Sequence, residues 1–453
     1  MITESVNKSQ GLVIPTDFNW NTDRHSTTRI PKSLPAEISP QQASKVYLVS
    51  ECLRDGLHGA ARYPSPSEMI DYIHHLASFG IRRVTVGIYS GDDNKIDKTV
   101  RIVLKRMEEE LPEVTPRVLS LTTEKSLNWL IDCKQINPKL EAIIFRGTAP
   151  ARQFVEGWTE SAILRDLSYA TERATNEGVN VIGAVEHATQ THPSMLRRVI
   201  TTQVEHGAIA FCLADTIGLA RQSGAYRIVK YADKVLSQLG SPAALEWHGH
   251  RDKGNAKETA DAAIKANMQR DIGIHVVSGG IGERAGNLDL GEFALNLVDV
   301  VEESGGNSDW KLEELIRLQR LYYHISGEPE PSHGVAGTKS GHTALGIHSA
   351  AIRKAREMAR TAQAEGNESL AKQLLRLSRR IYSSVDQERI GGKTTIGVSP
   401  FSGAANVQEF YESMGGDPKK LSPQKVEYVL SVAKELGCEL TEPDLKRLLN
   451  GNH

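Results

Sequence analysis

Two histidines separated by one residue, His248 and His250, end the short apolar stretch AALEWHGH. In a β-strand, residues i and i+2 point to the same face, so the two imidazoles are expected to project together. Two imidazoles on one face are suitable ligands for a divalent metal ion. The alternative is a pair of half-buried histidines that bond only to the backbone.

A guanidinium and a carboxylate follow another apolar stretch, in the segment LRDG at 53–56. Asp55 is a candidate oxygen ligand. Together with the two histidines it would form a two-His, one-carboxylate set, which leaves coordination positions open for a substrate. Arg54 would then be a fixed cation beside the ion; the alternative is an ordinary surface ion pair.

A glycine-rich segment, GGIGERAGN at 279–287, follows a third apolar stretch. A strand-to-helix turn of this kind presents backbone N–H groups to an anion, although many such turns are only tight connections. Gly282 and Glu283, which lie within it, are therefore candidate substrate-binding residues.

Short apolar stretches alternate with longer amphipathic segments from residue 45 to about residue 304. The strand candidates are 45–52, 82–89, 114–121, 140–146, 179–185, 208–214, 243–250 and 272–278. Strands that alternate with helices in this way predict a parallel sheet, closed as a (β/α)₈ TIM barrel rather than open and doubly wound. In a barrel the C-terminal ends of all strands face one cavity, where the three motifs would meet.

The barrel is predicted to occupy residues 45–305, between two regions of different character. Residues 1–44 are polar and contain several prolines, which predicts an N-terminal arm that is ordered only where it docks. After the barrel we expect a mainly helical C-terminal region, divided into a subdomain at 306–403 and a helical subdomain at 404–453.

The composition excludes several classes of protein. The formal net charge is −2 and the pI is about 6.7, so no basic excess points to nucleic acid or to an anionic membrane. The four cysteines include no CxxC pair, which argues against a disulfide framework. We see neither a secretory signal nor an apolar stretch long enough to span a membrane, and therefore expect a cytoplasmic protein.

Taken together and in this order, the three motifs resemble a superfamily of barrel enzymes. Its members include isopropylmalate synthase, homocitrate synthase, Re-type citrate synthase and hydroxymethylglutaryl-CoA lyase. LRDG at 53–56 matches the motif after strand one, HGHRDKG at 248–254 resembles H-x-H-N-D-x-G, and GIGERAGN at 280–287 matches G-x-G-E-R-x-G-N. EHAT at 186–189 and DTIG at 215–218 look like two weaker family marks.

The resemblance implies a metal-dependent, Claisen-type condensation of acetyl-CoA with a 2-oxo acid, followed by thioester hydrolysis. The divalent ion (Mg, Mn or Zn) would be held by Asp55, His248, His250 and Asn287. Arg54 and Glu186 would act in catalysis. Segment 337–352, GTKSGHTALGIHSAAI, resembles a part of the synthases whose final histidine reaches the active site of the neighbouring subunit. His348 is therefore expected to be catalytic in a homodimer with shared active sites.

Substrate contacts are expected from residues at the strand ends. They are His58, Tyr89, Arg146, Thr148, Asp215 and Thr216, beside Gly282 and Glu283. Asp215 could instead only cap the turn after strand six. Arg146 would suit a second carboxylate or a phosphonate on the 2-oxo acid, or it could face outward. The identity of the acid stays open.

Departures from the family motifs keep a second function open. His58 stands where the synthases usually have Gln and where aldolases of the superfamily have His. Arg251 replaces an Asn, and Phe401 replaces a His. The alternative is a carbon–carbon lyase or aldolase, similar to hydroxymethylglutaryl-CoA lyase or to 4-hydroxy-2-oxo acid aldolases. A non-catalytic metal-binding relative is less consistent with the retained Arg54 and Asp55.

Overall fold

The computed structural model describes residues 14–22, 35, 37–267 and 270–450. The chain divides into two compact units. The first consists of Met1–Lys311 with Leu321–Glu328, and the second of Leu312–Arg320 with Pro329–His453. The unit boundary lies close to the predicted end of the barrel at residue 305.

The first unit is built on a closed parallel barrel of eight strands in sequence order. The strands are β1 (Val46–Ser50), β2 (Arg83–Ile88), β3 (Thr115–Ser120), β4 (Glu141–Gly147), β5 (Asn180–Glu186), β6 (Ala210–Asp215), β7 (Ala244–Gly249) and β8 (Ile272–Val276). Pairing of β1 with β8, from Val46 with Ile272 to Ser50 with Val276, closes the ring. The predicted TIM barrel is confirmed.

One short helix, α1 (Pro40–Ala43), precedes β1, and the other helices of the first unit follow the strands of the barrel. They are α2 (Pro66–Phe79), α3 (Lys95–Glu110), α4 (Glu124–Ile136), α5 (Pro150–Glu156), α6 (Glu160–Asn176), α7 (Pro193–Glu205), α8 (Gln222–Gln238), α9 (Ala256–Ala266) and α10 (Leu290–Glu303). Helix α2 illustrates how local sequence sets their ends. Ser65 and Glu68 form a capping box at its start, and Gly80 ends it in the left-handed conformation.

The described part of the N-terminal segment packs against the rest of the first unit. Trp20 is 1% exposed, and its indole N–H donates to the Thr191 carbonyl at 2.9 Å. The Phe18 N–H donates to the Gln190 carbonyl at 3.1 Å. The remainder of the predicted arm, 1–13, 23–34 and residue 36, lies outside the described residues.

The second unit is mainly helical, as predicted for the C-terminal region. Helix α11 (Leu315–Ser326) belongs partly to each unit, and α12 (Gly346–Ala364), α13 (Glu368–Arg380), α14 (Ala404–Ser413), α15 (Pro423–Leu436) and α16 (Glu442–Asn450) belong to the second. Strands β9 (His342–Thr343) and β10 (Thr395–Ile396) form a short parallel pair.

The cores of the second unit join residues on both sides of position 404. Val398 shares one buried cluster with Val407 and Val429, whereas Ala359 and Leu374 belong to the cluster between α12 and α13. The predicted division into 306–403 and 404–453 stays a prediction. Within the described residues, no helix has both the length and the apolar character needed to cross a membrane.

Candidate active site

The first two motifs meet at the C-terminal end of the barrel. Asp55 lies in a 3₁₀ turn after β1, His248 lies in β7, and His250 follows it. The Asp55 Oδ2 atom is 3.8 Å from His248 Nε2 and 3.6 Å from His250 Nε2. The two Nε2 atoms are 3.2 Å apart. All three side chains are buried. We call Asp55, His248 and His250 the mouth cluster.

The mouth cluster fits a divalent cation. Ligand atoms at about 2.0–2.2 Å from a common ion lie roughly 3–4 Å from one another, as these three atoms do. Asp55 Oδ2 is buried and has no hydrogen-bond partner among the described residues. Burial lowers the pKa of His248 well below its usual value and also lowers the pKa of His250, although Asp55 opposes both shifts. Both imidazoles are therefore neutral at pH 7, the form that binds metals.

The glycine-rich segment brings Asn287 beside the mouth cluster. Asn287 forms a backbone bridge with His250, and its buried Oδ1 has no hydrogen-bond partner among the described residues. Gly282 has φ +141, and a Cβ at this position would overlap the Asn287 amide. A side chain at residue 282 would displace Asn287, so glycine is needed there.

Arg54 is held in one orientation by two carboxylates. Its Nε donates to Glu51 Oε2 at 2.8 Å, and its Nη2 lies 2.5 Å from the same oxygen. Its Nη1 donates to Asp55 Oδ1 at 2.8 Å. Burial would raise the pKa of Asp55, but Arg54 and His58 outweigh it and hold that pKa well below its usual value. Asp55 is thus a permanent carboxylate.

A second group of charged side chains lies inside the barrel, and we call it the interior cluster: Glu51, Arg117, Glu246 and His275. His275 Nδ1 is 2.9 Å from Glu51 Oε1, and His275 Nε2 is 3.0 Å from Glu246 Oε2. Arg117 Nη1 donates to Glu246 Oε1 at 2.8 Å. Sequence reasoning missed this cluster.

The interior cluster is charged throughout. Burial opposes a charge on His275, but Cys212, Glu246 and Glu51 outweigh it and raise the pKa of His275 well above its usual value. Burial would also raise the pKa of Glu51, but Arg54 and His275 lower it to about 2. Through Glu51, the interior cluster is connected to Arg54.

Two adjoining cavities open around the mouth cluster. The first, which we call the active-site cavity, has a volume of about 270 Å³ and is lined by Arg54 and all three members of the mouth cluster. The second, of about 480 Å³, is lined by Arg251 and by the glycine-rich segment 279–286, which includes Arg284. Both are lined by His58 and Glu283, so the two cavities are neighbours.

Several other predicted residues line the active-site cavity. Glu186 at the end of β5 and Thr216 after β6 are among them. Burial would raise the pKa of Glu186, but His187 and Arg152 outweigh it and lower that pKa. Glu186 is therefore a carboxylate at pH 7, suited to accept a proton rather than to donate one.

Two predicted substrate-binding residues bond elsewhere and do not line the active-site cavity. Arg146 Nη2 donates to Asp166 at 2.8 Å, and its guanidinium stacks 4.1 Å from the Trp158 ring. Since Phe145 lines the cavity and strand residues alternate, Arg146 faces outward. The Tyr89 hydroxyl donates to Asp92 at 3.0 Å.

Two further predicted substrate-binding residues also lie outside the cavity lining. Thr148 Oγ1 is 2.6 Å from Thr191 Oγ1. Asp215 accepts from Thr189 Oγ1 at 2.8 Å and from the Leu219 N–H at 2.9 Å, which is the turn-capping role considered as its alternative.

His348 lies in the second unit, at the start of α12. Its ring stacks on Tyr382 with a centroid separation of 3.9 Å. Its Nδ1 lies 3.5 Å from Thr343 Oγ1. The role of His348 in catalysis stays a prediction.

Comparison with known proteins agrees with the fold and the motifs. The HMGL-like family matches residues 45–321. A 2-isopropylmalate synthase of Pyrococcus abyssi is 25% identical over 405 residues, covering 89% of this chain and 72% of the relative. A 2-isopropylmalate synthase of Saccharolobus solfataricus is 23% identical, covering 90% and 96%. A homocitrate synthase of Methanopyrus kandleri is 24% identical, covering 87% and 88%.

A solved structure shares the barrel fold. The HMG-CoA lyase of Brucella melitensis superposes with a TM-score of 0.51 at 18% identity, covering 62% of this chain and 99% of the lyase.

Proposed function

Since the chain belongs to the HMGL-like family, we propose that it is a metal-dependent acyltransferase that condenses an acyl-CoA, expected to be acetyl-CoA, with a 2-oxo acid. The observation that carries this proposal is the mouth cluster, whose buried ligand atoms converge beside Arg54. The named synthases among its relatives support the same reaction class.

The metal ion, when bound at the mouth cluster, supplies Lewis-acid polarisation of the keto group of the 2-oxo acid. Glu186, a carboxylate on the cavity wall, removes a proton from the acyl methyl group. A general base in this position contributes about 10²–10⁴-fold in rate. Arg54 stabilises the negative charge that develops on the enolate oxygen, because its fixed donors need no reorganisation.

The condensation forms a carbon–carbon bond between the acyl methyl carbon and the keto carbon of the acid. The resulting alkoxide gains a proton. Water then cleaves the thioester, releasing CoA and leaving a new carboxylate, so the product is a 2-hydroxy-2-carboxymethyl acid. The second cavity supports entry of the CoA part, because it offers glycine backbone and the Arg251 guanidinium to an anionic chain.

His348 is proposed as the proton donor, contributed by the partner subunit of a homodimer. Complementation tests this role. An Asp55→Ala protein and a His348→Ala protein are each expected to be inactive, and mixed dimers are expected to regain activity after subunit exchange. If activity does not recover although mass-tagged subunits show that exchange has occurred, the proposal of a shared active site is rejected.

A lyase or aldolase is the second candidate, and His58 favours it. His58 Nδ1 lies 3.3 Å from Asp55 Oδ1, and the side chain lines both cavities. A base or acid in this position could serve retro-aldol cleavage. Incubation with 4-hydroxy-2-oxo acids would release pyruvate from an aldolase and none from a synthase.

The proposed function is tested by CoA release. Metal-loaded protein with acetyl-CoA is expected to release thiol only when a 2-oxo acid is present, and mass spectrometry should detect the condensed product. Asp55→Ala protein serves as the control for contaminating thioesterase. Thiol release independent of the 2-oxo acid, or none with any acid, would reject the synthase proposal.

A further inference from the structure

The active-site cavity has two walls of opposite character. The polar wall lies at the ends of β1, β7 and β8 and carries Arg54 and the mouth cluster. The opposite wall is formed by β2 to β6 and is apolar. Its side chains are Ile88, Leu119, Ile143, Phe145, Ala184 and Cys212. We call this set the apolar wall.

The apolar wall is part of a packed core. Leu119, Ile143, Ala184 and Cys212 belong to one buried cluster, with Ile88 and Phe145 packed against it. A charged group pressed against these side chains would lose its hydration and gain no hydrogen bond in exchange. Glu186 and Thr216 lie nearer the strand ends, beyond this wall.

Within the described part of the chain, no unpaired cation faces the apolar wall. Arg54 is the single arginine among the residues that line the cavity, and none is a lysine. The charged His275 also lines the cavity, with its Nε2 4.0 Å from Cys212 Sγ, but it lies between Glu51 and Glu246. Arg117 precedes Leu119 by two positions on β3, but both Glu141 and Glu246 bind it. Arg146 is directed outward to Asp166. A second carboxylate on the substrate would therefore have no partner there.

We propose that the 2-oxo acid carries an uncharged, apolar side chain, which the apolar wall contacts. This inference rests on the proposed condensation, in which the carboxylate and keto oxygens of the acid face the polar wall. The substituent at C3 is then directed to the opposite side. The cavity volume of about 270 Å³ is below the common range of about 300–1,000 Å³ for ligand sites, which indicates a short side chain.

The experiment compares kcat/KM for two groups of acids with acetyl-CoA and metal-loaded protein. The apolar group is pyruvate, 2-oxobutanoate, 3-methyl-2-oxobutanoate and 4-methyl-2-oxopentanoate. The acidic group is oxaloacetate and 2-oxoglutarate. Neighbours in the apolar group are expected to differ by about 10–200-fold per methylene. Both dicarboxylates are expected to be at least about 100-fold poorer than the best apolar acid.

Two results separate this inference from the proposed function. A dicarboxylate with the highest kcat/KM would overturn the apolar side chain while leaving the condensation intact. If no acid supports thiol release, the condensation fails. Titration calorimetry of the Mn²⁺-loaded protein then still decides the inference, because 3-methyl-2-oxobutanoate should bind more tightly than 2-oxoglutarate. Tighter binding of 2-oxoglutarate would overturn the inference.

Variants of two residues on β4, one inward and one outward, test the apolar wall directly. Ile143→Val removes one methylene equivalent from the cavity lining and is expected to shift the preferred acid to a longer side chain, by about tenfold in the ratio of kcat/KM values. Arg146→Ala, at an outward position of the same strand, is expected to leave that ratio unchanged. A ratio that changes in Arg146→Ala and not in Ile143→Val would contradict the apolar wall.

Discussion

The mouth cluster and the interior cluster both combine histidine with carboxylate side chains, and they have opposite properties. Each has histidine and carboxylate atoms within metal-ligand distance of one another, and Cys212 adds a thiol beside the interior cluster. In the mouth cluster, burial lowers the pKa of both histidines, and Asp55 Oδ2 has no hydrogen-bond partner in the described parts of the chain. In the interior cluster, contacts with Cys212, Glu246 and Glu51 overcome burial and raise the pKa of His275.

The difference shows that proximity of ligand atoms is not sufficient for a metal site. His275 lies between two carboxylates, and Arg117 and Tyr47 both donate to Glu246 Oε1. A metal ion there would have to displace protons and a guanidinium. The mouth cluster has neutral imidazoles and a carboxylate oxygen that faces a cavity and has no hydrogen-bond partner within the part of the chain that the structure describes. We therefore propose that the mouth cluster binds the metal ion and that the interior cluster supports Arg54.

The largest effect is expected from Asp55→Asn. This change keeps the shape of the side chain but removes the charge that binds the ion and pairs with Arg54 Nη1. Activity in the thiol-release assay should fall by at least about 10³-fold, which corresponds to roughly 4 kcal/mol. Asp261→Asn, which removes an α9 surface carboxylate paired with Lys257, is the matched control. Less than tenfold loss in Asp55→Asn would contradict the role of the mouth cluster.

Glu51→Gln should destabilise the protein by about 3 kcal/mol at pH 7, because Arg54 and His275 each lose a buried partner. The pKa of Glu51 is about 2 in the folded state and 4.5 as its ordinary value. Its contribution to stability is therefore complete above about pH 4.5 and is lost as the pH falls toward 2. Denaturation midpoints measured between pH 7 and pH 3 should depend less on pH in the variant.

Glu68→Gln provides the matched control for Glu51→Gln. The Arg62 hydrogen bond lowers the pKa of Glu68 to about 2 as well, but Glu68 is partly exposed. Its removal should cost only about 0–1 kcal/mol, since solvent screens such pairs. Equal losses of unfolding free energy in the two variants would show that the buried contacts of Glu51 stabilise the protein no more than an exposed ion pair does.

Arg54→Lys should lower kcat by more than about tenfold, or 1.4 kcal/mol. Arg54 uses three nitrogen atoms to contact Glu51 and Asp55, and an ammonium cannot reproduce this fork. Arg62→Lys, an exposed arginine close in sequence, serves as the control. If the Lys variant keeps more than a tenth of the wild-type kcat, the proposed charge stabilisation by Arg54 is contradicted.

The barrel and the mouth cluster could be predicted from the sequence, because both depend on local patterns. The alternation of apolar stretches and amphipathic segments set the strand order, and the i, i+2 spacing placed His248 and His250 on one face. The direction in which side chains at the strand ends point was less predictable. Arg146 and Phe145 are neighbours, and only the register of β4 decides which of them faces the cavity.

The interior cluster depends on contacts between strands that are far apart in the sequence, so local patterns do not show that its members meet. Its members come from β3, β7, β8 and the turn after β1. Two signals in the sequence pointed to individual members of the cluster. The first is Glu246, which shares the strand face of His248 and His250 at the same two-residue spacing. The second is Arg117 within the β3 segment, since a charge inside a barrel strand requires a partner.

The most direct test of the central claim is the metal content of three proteins: the wild type, His250→Ala and Cys212→Ala. After loading with Mn²⁺ and removal of free ion, elemental analysis should find one equivalent per chain in the wild type and in Cys212→Ala. It should find none in His250→Ala, provided that circular dichroism shows the variant to be folded. Full metal content in His250→Ala, or loss of metal in Cys212→Ala, would contradict the assignment of the ion to the mouth cluster.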